Sequence, residues 1–287
     1  MNDTVREYTS YWKVLIPYMR YMRSSHTVEP VKVTWGDDPQ QYFLDFRAPS
    51  RSRITEGSKL VIYLHGGGWS SNSPTLHDFV GQKIASLGYD CIMAGYRKSP
   101  KWRFDAIIED VFEGYVKIRE YLENNGRSYE KIIISGSSAG AHLGALLCFD
   151  EEKKASYRIA ENEFAGLLLM AGPVDFSYPQ TGTLNKLLTR LFNTKDRNIW
   201  KTGEPIRKMT ALPGLKVRII QSRHDGLVGF EQARSLHEKA MSLGMSSTFY
   251  EVKDPWDTHS LYCVGVFLLE TSQSETLRTV VEMIEGI

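Results

Sequence analysis

The sequence predicts an α/β fold in which a mostly parallel central sheet of about eight strands has helices on both faces. Two observations predict it. Short apolar segments recur along the chain and alternate with longer segments of helical periodicity. The central segments are apolar at successive positions, as strands buried on both faces must be. Because no linker or internal repeat divides the 287 residues, we expect a single domain, residues 1–287.

The elements are justified in chain order. Residues 5–24 have the apolar spacing of a helix, in which Pro17 should cause a kink. Residues 29–49 predict two strands that are joined by a GDDP turn. Further strands are predicted at 59–65, 90–96, 131–137, 164–172, 216–222 and 247–253, and helices near 75–87, 105–123, 139–149, 230–243 and 260–285. The long connection at 175–212 contains LNKLLTRLF and predicts a small helical insertion over the site.

Composition and charge exclude several classes of function. The 35 basic and 34 acidic residues leave a net charge of +1, which is too small to recruit nucleic acid. No apolar run of about 18 residues predicts a transmembrane segment, and no signal peptide is evident, so a cytoplasmic protein is expected. Cys91, Cys148 and Cys263 lack CxxC spacing and are interpreted as buried thiols, not as metal ligands. We expect no metal and no cofactor, and a homodimer is left open.

A Gly-Ser-Ser-Ala-Gly segment at 136–140 has the G-x-S-x-G pattern of a nucleophile elbow. It follows the strand KIIIS and opens the helix AGAHLGALLCF, which is the strand–turn–helix context that such an elbow requires. Ser138 occupies the central position and Ser137 the variable one. The competing interpretation is a plain Gly/Ser turn, because a chance match occurs in roughly one chain in ten of this length.

A His-Gly-Gly-Gly segment at 65–68 follows the strand LVIYL. Acyl transfer needs N–H groups directed at the developing oxyanion, and glycine lets the backbone approach closely. The expected donors are the amides of Gly67, Gly68 and Ala139. His65 is interpreted as a structural support of this loop.

The general base and its acid should follow Ser138, because the fold that uses this elbow orders its triad as Ser, acid and His. His259 comes after the strand STFYEVK, and Asp225 comes after the strand KVRIIQS. Both should therefore emerge at the same edge of the sheet as Ser138. Asp254 and Asp257 are rival acids, but they lie in the same loop as His259 and are too local to brace its imidazole from the far side.

In this order the motifs resemble those of the α/β-hydrolase family, in the branch of hormone-sensitive-lipase-like carboxylesterases and arylformamidase-like enzymes. The matching segments are WGDDPQQYFLDFRAP (35–49), HGGGW (65–69), GYRKSP (95–100), FDAIIEDV (104–111), GSSAGAHLGA (136–145), AGPVDF (171–176) and SRHDGLVGFEQA (222–233). The resemblance implies an α/β-hydrolase fold and a serine esterase, with Arg97 and Asp110 as scaffold residues. Lipase-like members usually carry Asp where this chain has Ser137, which leaves the substrate open.

These features together predict a cofactor-free hydrolase of small carboxylic esters that acts through an acyl-enzyme. One alternative is an arylformamidase, another small amide hydrolase or a peptidase with the same triad. A second alternative is a non-catalytic binding protein on this fold. Trp69, Ser70 and Trp256 flank the site and are candidates either for shaping the acyl or alcohol pocket or for packing.

The N-terminal helix carries a basic stripe opposite a broad apolar surface. The stripe consists of Arg6, Lys13, Arg20 and Arg23. We expect residues 1–28 and 175–212 to form a cap, with the apolar face of the helix on the body and its basic face in water. The alternative is a helix that lies in a membrane interface.

Overall fold

The computed structural model describes residues 3–24, 28–49 and 58–287. The strands in these ranges are β1 (Val31–Thr34), β2 (Tyr42–Phe46), β3 (Lys59–Leu64), β4 (Asp90–Ala94), β5 (Lys131–Ser137), β6 (Gly166–Met170), β7 (Lys216–Gln221) and β8 (Ser247–Glu251). They form one eight-stranded sheet in the order β1-β2-β4-β3-β5-β6-β7-β8. Only β2 runs antiparallel to its neighbours, β1 and β4, and the pairs from β4 to β8 are parallel. The predicted mostly parallel sheet is therefore confirmed.

The helices lie on both faces of this sheet. The α-helices in the described ranges are α1 (Asp3–Ser10), α2 (Trp12–Arg23), α3 (Asp78–Ser86), α4 (Phe104–Asn124), α5 (Ala139–Phe149), α6 (Glu151–Ser156), α7 (Gly182–Phe192), α8 (Arg197–Trp200), α9 (Pro205–Lys208), α10 (Phe230–Ser242), α11 (His259–Cys263) and α12 (Glu275–Glu285). Short 3₁₀ turns occur at Thr75–His77, Lys201–Gly203 and Gly265–Leu268. None of the helices in these ranges combines the length and the apolar character needed to cross a bilayer.

The buried apolar side chains of the described ranges form two core clusters, one on each face of the sheet. Successive strand residues point alternately into them: Ile134 and Leu167 belong to one cluster, and Ile133 and Leu168 to the other. All four side chains are buried, which explains why the central strands are apolar at every position instead of at every second one. The three cysteines are also buried, as expected from their apolar contexts.

Arg97 and Asp110 form part of the scaffold, as the family resemblance implies. The Nε of Arg97 donates to the two carboxylate oxygens of Asp110 at 2.8 and 2.9 Å, and its backbone N–H donates at 2.7 Å. The Gln41 amide donates a further bond at 2.9 Å. Because Asp110 is wholly buried, this set of donors compensates a charge that would otherwise be costly inside the protein.

Two predicted helices are each divided in the structure. The N-terminal helix is interrupted at Tyr11, whereas Pro17 lies inside α2. A proline at that place removes only one backbone hydrogen bond, and α1 and α2 dock on different parts of the body. The predicted helix at 260–285 is divided into α11, a 3₁₀ turn and α12. Ser274 defines the start of α12, because its side chain accepts a hydrogen bond from the Leu277 amide.

The expected orientation of the N-terminal helices is wrong. The outward face of α2 is apolar, with Trp12 64% exposed, and the same face exposes Leu15, Ile16, Met19 and Met22. The face towards the body carries Tyr18 and Tyr21, whose rings meet Phe79 edge-on at 6.0 and 5.8 Å. The helix has more apolar side chains than its docking face can cover, so the surplus faces outward.

Candidate active site

Ser138 lies at the turn between β5 and α5, with φ 52° and ψ −119°. Its backbone N–H donates to the Met170 carbonyl at 2.8 Å, and its carbonyl accepts from the His142 amide at 3.1 Å. A Cβ on Gly140 would lie 1.9 Å from the carbonyl oxygen of Leu64, so β3 leaves no room for any side chain there. The glycine therefore permits the close approach that holds Ser138 in a strained conformation at the carboxyl edge of the sheet.

The two serines of the motif have different surroundings. Ser137 is fully buried, and its Oγ accepts a hydrogen bond from the Tyr63 hydroxyl at 2.8 Å. Ser138 is partly exposed and lines a cavity. Ser138 is therefore the partly exposed serine of the motif, whereas the Ser137 hydroxyl is committed to a buried hydrogen bond with Tyr63.

The glycine loop after β3 lies against Ser138. A Cβ on Gly66 would be 3.3 Å from the Ser138 Cβ. Gly67 has φ 119°, which favours glycine, and Gly68 has φ 57°. Within the described ranges, the amides of Gly67, Gly68 and Ala139 donate no hydrogen bond to the protein. Unpaired N–H groups next to a nucleophile are what an oxyanion requires.

His65 supports this loop from the core. Its Nδ1–H donates to the Gly66 carbonyl at 2.7 Å, and its ring stacks on Tyr96 at 4.5 Å. Burial lowers the pKa of His65 well below its usual value, and the imidazole is therefore neutral. This surrounding fits the structural role that the sequence suggests for His65.

His142 on α5 joins three segments around the site. Its Nδ1 accepts from the Trp69 indole N–H at 3.3 Å, and its Nε2–H donates to the Gly203 carbonyl at 2.7 Å. Burial lowers the pKa of His142 to about 4, so the neutral form that this pair of bonds requires is stable near neutral pH. The histidine thus ties the glycine loop and the insertion to the helix that follows Ser138.

Asp225 and His259 meet at the edge of the sheet. The Nδ1–H of His259 lies 3.0 and 2.8 Å from the two carboxylate oxygens of Asp225. The amides of Leu227 and Val228 donate to Oδ1 at 2.8 and 2.7 Å, and the Tyr262 hydroxyl donates to Oδ2 at 2.6 Å. Sequence reasoning missed Tyr262, although its place three residues after His259 on one helix is a signal that could have found it.

The electrostatic surroundings favour the protonated form of His259. Burial lowers the pKa of its imidazole, but the charge of Asp225 and the hydrogen bond to it raise the pKa by more, and Glu7 adds to this rise. The net result is a pKa above the ordinary value. A histidine of this kind accepts a proton readily in a transition state.

The rival carboxylates are engaged elsewhere. Asp254 accepts hydrogen bonds from the Ser274 hydroxyl at 2.9 Å and from the Thr276 amide at 3.1 Å, and so ties the loop to the start of α12. Asp257 forms an ion pair with Arg6 at 2.6 Å. The structure therefore brings Asp225, and neither of its rivals, to the imidazole of His259.

Sequence reasoning also missed Glu7 on α1. Its carboxylate is only 1% exposed and accepts hydrogen bonds from the amides of His259 at 2.6 Å and Ser260 at 3.0 Å. A buried carboxylate needs such partners. The signal that could have found it is an acidic residue in a predicted helix of mostly basic and aromatic side chains.

Ser138 and His259 line the same cavity, which has a volume of about 560 Å³. Its walls come from the glycine loop, the N-terminal helices and the insertion. The last two contribute Tyr11, Val14, Tyr18, Leu184 and Leu187. Of the three flanking candidates, Trp69 and Ser70 line the cavity. Trp256 packs near Gly265, where a Cβ would lie 3.2 Å from its ring.

Comparison with known proteins gives consistent matches. A sequence profile of the α/β-hydrolase fold matches residues 61–202. Esterase LipC of Mycobacterium tuberculosis is 26% identical over 248 residues, which are 82% of this chain and 60% of LipC. Ethyl acetate hydrolase of Pseudomonas putida is 31% identical over 103 residues, which are 36% of this chain and 32% of that enzyme. The chain thus spans 60% or less of the length of these curated relatives.

The fold agrees with these matches. The crystal structure of esterase B from Lactobacillus rhamnosis HN001 is similar with a TM-score of 0.76 at 19% identity, over 99% of this chain and 93% of that chain. The eight-stranded sheet, the elbow after β5 and the glycine loop after β3 occupy the places that this fold requires. The chain therefore has the α/β-hydrolase fold, and the proteins it is similar to in sequence include esterases.

Proposed function

We propose that the protein is a serine hydrolase that cleaves small, short-acyl carboxylic esters through an acyl-enzyme. The observation that carries the proposal is the shared cavity of Ser138 and His259, with Asp225 on the far side of the imidazole. The names of LipC as an esterase and of ethyl acetate hydrolase support ester cleavage. The volume of the cavity, about 560 Å³, suits a small substrate.

In the proposed mechanism, the Oγ of Ser138 attacks the acyl carbon while His259 takes the proton of the Ser138 hydroxyl. The amides of Gly67, Gly68 and Ala139 hold the oxyanion of the tetrahedral intermediate. His259 then gives the proton to the departing alkoxide, and the alcohol leaves the acyl-enzyme. A water molecule deprotonated by His259 repeats the sequence and releases the acid.

The proposal includes the organisation of the chain. Residues 1–287 form one domain, and elements from 1–28 and 175–212 form a cap. Support comes from the cavity walls, because Tyr11 and side chains of α2 and α7 line the same cavity as Ser138. Such a cap excludes water and limits the size of the acyl group that fits.

The proposal is tested with Ser138→Ala and with Ser137→Ala as the matched control. Ser138→Ala should lower kcat/KM for short aryl esters by on the order of 10⁴-fold or more, because triad residues act as a unit. It should also abolish labelling by a fluorophosphonate probe. Ser137→Ala should keep most of the turnover and lose about 1–3 kcal/mol of stability, because the Tyr63 hydroxyl loses its acceptor.

The substrate panel contains aryl esters of graded acyl length, N-formylkynurenine and a short peptide amide. Preference for acetyl to butyryl esters supports the proposal. Faster turnover of the formamide or the peptide would show the alternative amide chemistry. A probe adduct on Ser137, or no adduct on the wild-type protein, would contradict the assignment of the nucleophile.

A further inference from the structure

Three residues of α1, together with Tyr11 directly after it, contact four consecutive residues of the loop that carries His259. The contacts are Arg6 with Asp257 at 2.6 Å, Glu7 with the His259 amide at 2.6 Å, Ser10 with the Thr258 hydroxyl at 2.7 Å, and Tyr11 with the Ser260 hydroxyl at 3.3 Å. Residues spaced in this way share one side of a helix. Each of the four loop residues 257–260 therefore has a polar contact with the segment 6–11.

Glu7 holds the backbone at the start of α11. Thr258 occupies the N-cap position, but its side chain makes no capping hydrogen bond and pairs with Ser10 instead. The first amides of α11, those of His259 and Ser260, need acceptors. The two carboxylate oxygens of Glu7 supply them, one to each amide. A residue more than 250 positions away along the chain thus does the work of the N-cap.

We propose that Glu7 is a positioning residue for the general base. Its carboxylate fixes the backbone of His259 where the ring meets Asp225, and its charge stabilises the imidazolium that forms during acyl transfer. The proposal rests on the proposed function of Ser138 and His259. According to this proposal, two carboxylates, those of Asp225 and Glu7, stabilise the imidazolium of His259.

The other titratable groups near His259 do not neutralise the charge of the Glu7 carboxylate. On α11, burial raises the pKa of both Tyr262 and Cys263, so both are neutral. Asp225 follows β7, and its carboxylate is the partner of the imidazole that raises the pKa of His259 most. These elements therefore contribute one negative charge.

On the side of α1, Asp257 is paired with the guanidinium of Arg6. Burial raises the pKa of Tyr11, which is neutral as well. The carboxylate of Glu7 has backbone amides as partners and no cation among the described contacts. It is therefore the second negative charge at His259.

The test compares Glu7→Gln and Glu7→Asp with Ser10→Ala as the control on the same helix and loop. Glu7→Gln keeps one carbonyl acceptor and removes the charge. We expect the pH-independent kcat to fall by roughly 10- to 100-fold, with KM little changed. The acidic limb of the pH profile of kcat/KM should move to lower pH. Glu7 raises the pKa of His259, so removal of its charge should lower that pKa. Ser10→Ala should leave the position of the limb unchanged.

A second measurement does not depend on turnover. NMR titration of the imidazole resonances, with the His259 signal assigned from a His259→Asn variant, should show the same downward shift of the pKa in Glu7→Gln. Fluorophosphonate titration counts the competent sites and separates positioning from partial unfolding. If the wild type has no esterase activity, the proposed function fails, yet the NMR arm still measures the effect of Glu7.

Two outcomes would overturn the proposal. One is that Glu7→Gln leaves both the pKa of His259 and the acidic limb of the pH profile of kcat/KM unchanged. The other is a loss of rate that matches the loss of competent sites, which is what a purely structural role produces. Glu7→Asp keeps the charge but shortens the reach, so its limb should stay close to that of the wild type while kcat falls. If Glu7→Gln does not fold, wild-type kcat in Glu7→Asp overturns the proposal.

Discussion

At the residue scale, the environment of Asp225 accounts for the orientation of His259. Two backbone amides, the Tyr262 hydroxyl and the Gln221 side chain donate to the carboxylate and hold it in the orientation in which it meets the imidazole. With Nδ1 as the donor to Asp225, Nε2 carries no proton in the neutral imidazole and can accept one. The proposed proton transfer from Ser138 depends on this tautomer.

We therefore predict that Asp225→Asn lowers kcat by roughly 10⁴-fold with little change in KM, because the amide donor stabilises the wrong tautomer of His259. Asp257→Asn is the matched comparison from the loop of His259. It loses only the ion pair with Arg6 and should keep most of the activity. Steady-state kinetics at saturating ester decide the question. An equal loss in Asp257→Asn, with Asp225→Asn almost unaffected, would reverse the assignment of the acid.

At the element scale, the two N-terminal helices have different tasks. The polar contacts of α1 hold the loop of His259, whereas α2 places Val14 and Tyr18 in the cavity wall. The outward face of α2 contributes to neither task, although it is apolar. Exposed apolar surface of this kind next to basic residues is also found on helices that bind lipid.

We predict that deletion of residues 1–24 raises KM for small esters, lowers kcat and lowers the melting temperature, without creating a need for lipid. The wall of the cavity and the acceptor for the His259 amide are lost together. Ester kinetics, thermal unfolding and co-sedimentation with anionic vesicles are compared for the full-length and the truncated protein. Trp12→Ser on the outward face is the control and should keep wild-type kinetics. Vesicle binding by the full-length protein alone, with unchanged KM and stability after deletion, would favour the membrane interpretation.

At the scale of the whole molecule, buried histidines link stability to pH. Burial lowers the pKa of His142 and of His77 to about 4, whereas the carboxylates around His259 raise its pKa. Above about pH 6.5 the first two are neutral in the folded and the unfolded chain. Below that pH the unfolded chain binds protons first, and the folded state loses stability. His259 acts in the opposite direction, because its contribution is present at low pH and is lost as pH rises through its folded pKa.

We predict that the free energy of unfolding falls between about pH 6.5 and pH 4, with roughly 3 kcal/mol of the fall due to His142. His142→Gln should flatten this part of the profile, because the amide retains a donor and an acceptor and does not titrate. Denaturant unfolding at a series of pH values provides the measurement. A parallel decline in wild type and variant would show that other groups cause the acid sensitivity.

The sequence by itself determined the sheet, the elbow and the glycine loop, because these depend on local sterics and on the period of apolar residues. Gly140 is required by the approach of its own strand–turn–helix unit to β3. The positions of Asp225 and His259 followed from one rule of topology, since parallel strands end at the same edge of a sheet.

Only the tertiary structure decided what depends on contacts between distant segments. The carboxylate of Glu7 meets the His259 amide across 252 positions, and no periodicity or motif encodes that meeting. The division of the N-terminal helix at Tyr11 and the outward face of α2 follow from where each helix docks, and not from Pro17 or the hydrophobic pattern. A helical pattern states which side of a helix is apolar, but the body of the protein decides how much of that side it covers.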